Sequence, residues 1–357
     1  MKKNSYFIQS NITIKQAIKK INEARSKIVF VLDNNASLIG SVSDGDIRRA
    51  ILNNVSLADP VSEIMNPNTK TLNAGDNLDI AKDIMIKYKI EAIPLIDSNK
   101  KVLDVLFWNE LFSKNKFMKY PQLNLPVIIM AGGKGTRMEP ITSILPKPLI
   151  PLGDKPMIEV IMDEFAKYGM KKFYISINYK GKMIKAYFDD HDSDYSFKYI
   201  QENKPLGTGG ALKYLSGKMS SPFFVSNCDI IVKDDYSKMY DFHKAGNYCL
   251  TMISSVQHYV IPYGICEIEN GGDLIKITEK PEYDLLVNTG MYILNPEVLD
   301  HIPEDTFFHI THLIEKLKSM GKKIGVYPVS NGAYFDFGQI SEYNESISKL
   351  TANQKIS

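Results

Sequence analysis

The run Ala131-Gly132-Gly133-Lys134-Gly135-Thr136-Arg137 follows directly on the apolar stretch Val127-Ile128-Ile129-Met130. Glycines let a backbone come close to a phosphate with its amides turned inward, and Lys134 and Arg137 add positive charge. The chemistry such a loop serves is the binding of a phosphorylated ligand. It is not a P-loop of the Walker type, because Gly133-Lys134 is followed by Gly135 rather than by serine or threonine. Nor is it the dinucleotide pattern, since the third glycine is absent and no acidic residue closes a second strand. Taken alone, the loop also reads as a tight strand-to-helix turn. Further along, Asp229 and Asp336 each follow an apolar strand, a place where an aspartate often serves only as a turn or cap residue. His309 and His312, with Glu315, share helical spacing after Phe307-Phe308. A metal reading of that set competes with a partly exposed helix start. The basic stretch Lys167 to Lys172 reads as a solvated helix end.

These residues need elements to hold them. Apolar strands are expected at Val127 to Met130, Phe173 to Ile177, Phe223 to Ser226, Cys249 to Ser254, Met291 to Leu294 and Ile324 to Val329. Helical stretches, among them Ile158 to Tyr168 and Leu313 to Met320, lie between them. That alternation argues for an α/β sheet with helices on both faces. The polar segment Ser113 to Pro126 reads as a linker. Before it the chain repeats itself. Val31-Leu32-Asp33 recurs 64 residues on as Leu95-Ile96-Asp97, and at the same offset Ala17 matches Ala81, Ile21 matches Met85 and Ile47 matches Leu111. Each copy reads as an amphipathic helix, a short apolar strand, a polar turn, a second strand and a second helix. One copy is too small to bury its sheet alone, and two stacked copies can.

Composition bounds the rest. A chain of 357 residues implies two to three domains. With 44% hydrophobic and 24% charged residues it has the balance of a soluble globular protein, which excludes disorder or a collagen-like state. A net charge of +2 offers no basic excess for a dedicated nucleic-acid binder. No apolar stretch reaches the roughly eighteen residues of a membrane span, and polar residues after the first few argue against a signal peptide. Three sparse cysteines, Cys228, Cys249 and Cys266, fit a reducing cytoplasm better than a disulfide framework or a zinc site.

After the glycine loop come Pro140-Ile141-Thr142, Pro146-Lys147-Pro148-Leu149 and Lys155-Pro156-Met157-Ile158. This run resembles the N-terminal signature of the sugar-1-phosphate nucleotidyltransferases. The likeness continues to about residue 350, in order, through Leu206-Gly207-Thr208-Gly209-Gly210-Ala211, Asn227-Cys228-Asp229, Tyr263-Gly264, Glu279-Lys280-Pro281, Asn288-Thr289-Gly290 and Phe335-Asp336-Phe337-Gly338. In such enzymes a sugar 1-phosphate attacks the α-phosphorus of a nucleoside triphosphate and pyrophosphate leaves. The resemblance implies Mg²⁺ held by Asp229 and Asp336, and a nucleotide site made by Ala131, Gly132, Gly133, Gly135, Thr136 and Arg137. Gly207 and Gly210 would leave room for base and ribose. Arg137 and Lys147 would neutralise the triphosphate. Lys280 would hold the sugar phosphate, Glu279 would take sugar hydroxyls, and Gly264 and Asn288 would contact the hexose. Two departures stand out. Cys228 occupies a position where the family usually has glycine, with packing its expected role, and Tyr334-Phe335 stand where tryptophan is common.

Residues 5 to 115, with the run Ser41-Val42-Ser43-Asp44-Gly45-Asp46, resemble a pair of CBS (cystathionine-β-synthase-type) modules. In that family a Ser or Thr and an Asp three residues later bind a ribose, here Ser43 and Asp46. Phe107 and Glu110 occupy the equivalent positions of the second copy, so one regulatory purine nucleotide per chain is expected rather than two. A pure dimerisation role is the competing reading.

Together these imply a CBS pair over residues 1–118, a linker at 119–126, and a Rossmann-like, mixed-sheet (GT-A-like) α/β nucleotidyltransferase domain at 127–357. The expected protein is a cytoplasmic homo-oligomer without nucleic-acid or membrane partners. CBS pairs ahead of this domain resemble guanylyltransferases of surface-sugar pathways, including nonulosonic-acid precursors, which favours GTP and a hexose or hexosamine 1-phosphate. Uridylyl or thymidylyl transfer is the close alternative. A catalytically dead nucleotide-sensing subunit is the alternative from another class, and retention of Arg137, Lys147, Asp229, Lys280 and Asp336 argues against it.

Overall fold

A computed structural model describes residues 3–24, 26–88, 90–111, 120–190, 194–343 and 346. The chain divides into two compact units, Met1–Met118 and Lys119–Ile356.

In the first unit the repeat is kept to the residue. Helices Ile14–Ala24 and Leu78–Tyr88, strands Ile28–Leu32 and Ala92–Ile96, and strands Leu38–Ser43 and Val102–Phe107 all stand 64 positions apart. Each copy carries a three-stranded sheet whose central strand runs parallel to one neighbour and antiparallel to the other. The helix stripe Ile14, Ala17, Ile21 is buried, as are its counterparts Ala81 and Met85. The copies share a core in which Tyr6, Phe30 and Leu38 from one side meet Ala92, Ile96 and Val105 from the other. Leu38 N also donates to Lys100 O at 2.9 Å. Neither half could remove these surfaces from water by itself.

The second unit is built on seven strands: β1 Val127–Met130, β2 Lys172–Ile177, β3 Ser196–Gln201, β4 Phe223–Asn227, β5 Leu250–Val260, β6 Glu282–Leu294 and β7 Ile324–Val329. Their order in the sheet is β3-β2-β1-β4-β6-β5-β7. The first four run parallel, β6 is antiparallel to both β4 and β5, and β7 is parallel to β5. On β1, Val127 and Ile129 join one core with Phe165 of helix Met157–Ala166, while Ile128 joins another with Leu313 and Leu317 of helix Ile310–Ser319. Burial on both faces is why this strand reads as a continuous apolar run rather than an alternation. Among the described residues no helix is long and apolar enough to cross a membrane.

Two expectations change. Of the presumed linker, residues 113–119 lie outside the described residues, and the rest is packed onto the second unit. Leu125 is buried, Leu123 N donates to Tyr168 O at 2.8 Å, and the Tyr120 and Tyr168 rings lie 4.8 Å apart. Strands β5 and β6 also run well beyond the expected Cys249–Ser254 and Met291–Leu294. Ser254–Val260 pairs with Glu282–Asn288, with Ser254, Ser255 and Val256 still buried and residues 258–260 exposed, and strands Ile265–Ile268 and Leu274–Thr278 form a further, largely exposed hairpin, so that the outer part is an exposed arm. In that outer part backbone pairing carries the strands, which therefore have little burial pattern for the sequence to record.

Candidate functional site

The glycine loop leaves the C-terminal end of β1, and Asp229 follows that of β4, its parallel neighbour. In open α/β sheets this edge is where ligands bind. Asp336 arrives by another route. Strand Tyr334–Asp336 pairs antiparallel with Ile230–Val232, placing Asp336 opposite Ile230, and Phe337 N donates to Asp229 O at 2.9 Å. Two carboxylates from distant parts of the chain thus stand side by side.

Lys147 ties them together. Its Nζ donates to Asp229 Oδ2 at 2.5 Å and to Gly338 O at 3.1 Å, and only 6% of the residue is exposed. A buried ammonium needs such partners. Lys147, expected against a triphosphate, here bridges Asp229 and the Gly338 turn. Gly338 N in turn donates to Asp336 Oδ1 at 2.6 Å, and Tyr334 OH donates to Oδ2 at 3.1 Å. Burial pushes the Asp336 carboxyl above its usual range. Repulsion from Asp229 and Glu342 adds to this, and the Gly338 amide opposes it. Cys228 packs in the core, where burial raises its thiol to about 12, so it is a small apolar side chain rather than a nucleophile.

A cavity of about 270 Å³ opens at this edge. Its lining brings together four of the expected residues, Arg137, Asp229, Asp336 and Asn288. Asn288 is engaged locally, its Nδ2 donating to Tyr292 OH at 2.6 Å. Gly264, Glu279 and Lys280 sit on the exposed arm and are not among the lining residues. Gly264 and Glu279 are nonetheless neighbours, since a Cβ at Gly264 would lie 2.9 Å from Glu279 Oε2. Two carboxylates with no third acidic, His or Cys ligand in a group among the described residues suit an ion that draws its other oxygens from phosphates and water, as Mg²⁺ does.

One contributor escapes the sequence motifs. Glu202, 4% exposed, lies against the loop: a Cβ at Gly132 would come within 2.4 Å of its Oε1. Ser176 Oγ donates to Oε1, and Leu206 N donates to Oε2 at 3.1 Å. Thr208, His309 and Tyr334 also line the cavity. The serine partner on β2 and the segment 306–310 are remote in sequence, so only the preference for a buried acid after a strand could have pointed to Glu202.

Gly207 and Gly210, expected to leave room for base and ribose, also pack against backbone. A Cβ at Gly207 would lie 2.8 Å from Phe308 O, and one at Gly210 would lie 2.7 Å from Thr306 O. The space beside them is filled by backbone. Gly210→Ala should therefore destabilise the protein by about 1–3 kcal/mol, because backbone cannot swing aside as a side-chain tip can. Urea unfolding measures this, and an unchanged midpoint would show that the two segments are not closely fitted.

In the first unit, Ser43 and Asp46 are occupied with each other. Ser43 caps helix Asp44–Leu52, its Oγ and N both donate to Asp46 Oδ2, at 2.6 and 2.8 Å, and Arg49 pairs with Oδ1. Phe107 packs against Tyr6, the rings tilted with centres 4.7 Å apart. The side chain of Glu110 lies outside the described residues.

A family model described as nucleotidyl transferase matches residues 126–353, and the CBS domain model matches residues 1–53 and 61–113. Over 188 residues the chain is 34% identical to the probable mannose-1-phosphate guanylyltransferase 1 of Oryza sativa subsp. japonica, covering 50% of this chain and 52% of that protein. Over 184 residues it is 33% identical to the mannose-1-phosphate guanyltransferase of Saccharomyces cerevisiae, covering 49% and 51%. The chain thus spans about half the length of the curated relatives it matches. The crystal structure of HddC from Yersinia pseudotuberculosis has a TM-score of 0.50 at 26% identity, over 63% of this chain and 99% of that one. With a family match across well over half its length, and with the sheet, the glycine loop and the paired carboxylates in place, the chain belongs to the nucleotidyl transferase family and carries a pair of CBS domains before that domain.

Proposed function

We propose that the protein transfers a nucleotidyl group from a nucleoside triphosphate, with GTP preferred, to a hexose or hexosamine 1-phosphate. The observation that carries this is the frame in which Lys147 and Gly338 hold Asp229 and Asp336 at one cavity with Arg137. A phosphate oxygen of the sugar attacks the α-phosphorus, the bond to the bridging oxygen of the β-phosphate breaks, and pyrophosphate leaves. Two anions must meet, so positioning and charge neutralisation carry most of the rate. Mg²⁺ held by Asp229 and Asp336 supplies neutralising charge when bound. Arg137 takes the leaving pyrophosphate, the loop Ala131 to Thr136 holds the triphosphate, and Lys280, Glu279, Gly264 and Asn288 hold the sugar phosphate.

Two things support guanine. The relatives above are named as guanylyltransferases. Glu202 also offers a carboxylate beside Gly132, and a carboxylate keeps acceptor lone pairs beyond the two hydrogen bonds it already receives. Guanine presents adjacent N1–H and N2–H donors, which uracil, thymine and cytosine do not.

The CBS pair is proposed to take one purine nucleotide at Ser43 and Asp46, at the expense of the Arg49 contact, and to join chains into an oligomer. The three cysteines are unpaired, which fits a cytoplasmic enzyme acting on phosphorylated metabolites.

Pyrophosphate release across a panel of triphosphates and sugar 1-phosphates, with and without added AMP, tests these assignments. GTP should exceed UTP, dTTP and CTP by about tenfold or more in kcat/KM, and Lys280→Ala should raise the sugar phosphate KM far more than that of the triphosphate. A preference for UTP or dTTP would move the reading to the uridylyl or thymidylyl alternative.

A further inference from the structure

One wall of the cavity joins a glycine motif to a segment to which no role has been given. It is made where the loop Leu206–Gly210 meets the segment before helix Ile310–Ser319. Gly209 N and Gly210 N both donate to Phe308 O at 2.9 Å, and Phe308 N donates to Leu206 O at 2.9 Å. This backbone lacing brings Thr208 and His309 together on the cavity.

The hydrogen bonds there form a directed chain. Ile310 N donates to Thr208 Oγ1 at 3.2 Å. The hydroxyl keeps its own hydrogen after accepting that bond and lies 3.3 Å from His309 Nδ1, placed to donate to it. An imidazole that accepts at Nδ1 carries its hydrogen on Nε2. We infer the Nε2–H tautomer, the one in which Thr208 donates to Nδ1. No protein partner meets Nε2 among the described residues. The ring is further held by an edge contact to Phe307, with centres 4.8 Å apart. The cavity is lined by Asn288, given above to the sugar, as well as by Arg137, Asp229 and Asp336, and not by Gly132, Gly133 or Gly135, so His309 borders the place where acceptor and leaving group meet rather than the glycine loop.

We propose that His309 is a specificity-determining residue for the acceptor sugar, its Nε2–H donating to one hydroxyl oxygen of the sugar 1-phosphate, with Thr208 as the positioning residue that holds the tautomer. The assignment rests on the nucleotidyl-transfer reading. It asks for no change in that reaction, only for a donor that a sugar hydroxyl can accept.

The test compares the parent enzyme, His309→Ala, His309→Gln and Thr208→Val on the preferred sugar 1-phosphate and on its set of monodeoxy analogues. The parent should lose about tenfold in kcat/KM on one analogue, the range of one hydrogen bond. His309→Ala should lose about tenfold on the intact sugar and nothing further on that same analogue, while the triphosphate KM stays within about twofold. His309→Gln, which keeps an N–H donor on a side chain of similar reach, should recover part of the loss, and Thr208→Val should show part of it. Equal losses on every analogue, a shift mainly in the triphosphate KM, or parent-like kinetics in His309→Ala would overturn the assignment. If the parent releases pyrophosphate with no sugar 1-phosphate at all, the transfer reading falls and takes this one with it.

Discussion

Asp336→Ala is expected to lower turnover by about three orders of magnitude while the protein stays folded. Neutralising two approaching phosphates is worth several kcal/mol, and each 1.4 kcal/mol or so is a factor of ten. The fold survives because the change removes a carboxylate that burial and the nearby Asp229 and Glu342 already disfavour. The same strain makes cation binding sensitive to pH. The Asp336 carboxyl is raised above its usual range, first by burial, so it holds its proton to a higher pH than an ordinary aspartate. A proton and a cation compete for it. Mn²⁺ affinity, followed by titration calorimetry or electron paramagnetic resonance, should therefore weaken as pH falls through that raised value. In Asp336→Ala both the affinity and its pH dependence should be much reduced. Near-normal turnover in a folded Asp336→Ala protein would remove Asp336 from the site.

Asp229→Ala should behave differently, losing stability as well as activity. Lys147 is 6% exposed and has two partners, the Asp229 carboxylate and Gly338 O. Taking away one member of a buried pair leaves a desolvated charge behind and costs about 3–5 kcal/mol. Asp229→Asn keeps the shape and an acceptor for the ammonium and should cost less, with activity still lost. Lys147→Met in the Asp229→Ala background should restore much of the stability, because replacing a buried pair by apolar groups is often neutral. Urea unfolding of the parent, Asp229→Ala, Lys147→Met and the double variant measures the coupling. If Asp229→Ala unfolds like the parent, Lys147 has found solvent or another partner and the frame described above is not rigid. This contrast between the two aspartates follows from the folded arrangement alone, since both follow apolar strands in the sequence.

Much of the architecture was legible from local pattern. The repeat at 64 residues survives in every paired element because each copy has the same short-range needs: a helix stripe such as Ile14, Ala17 and Ile21, a buried central strand, and an antiparallel partner. Strand β1 and the glycine loop after it were readable for the same reason, as burial on both faces writes an unbroken apolar run. The exposed arm was not readable, because exposed strands such as Leu274–Thr278 carry no burial period. Residues 113–119, placed in the linker, lie outside the described residues, and the remainder proved to be packed.

What the sequence determined by itself is which residue types stand at which strand ends: Arg137 after β1, Asp229 after β4, Asp336 after a short strand near the end, and Ser43 three residues before Asp46. What only the tertiary structure decided is how they are used. Lys147 reaches Asp229 across 82 residues and Gly338 across 191, and Thr208 reaches His309 across 101. Spacings of that size are closed by the order of strands in the sheet and by backbone lacing, neither of which leaves a local period. A side chain's type limits what it can donate or accept. Which partner it meets depends on the neighbour that the sheet brings alongside, so Lys147 turns inward to a carboxylate and Gly210 is small to admit a carbonyl.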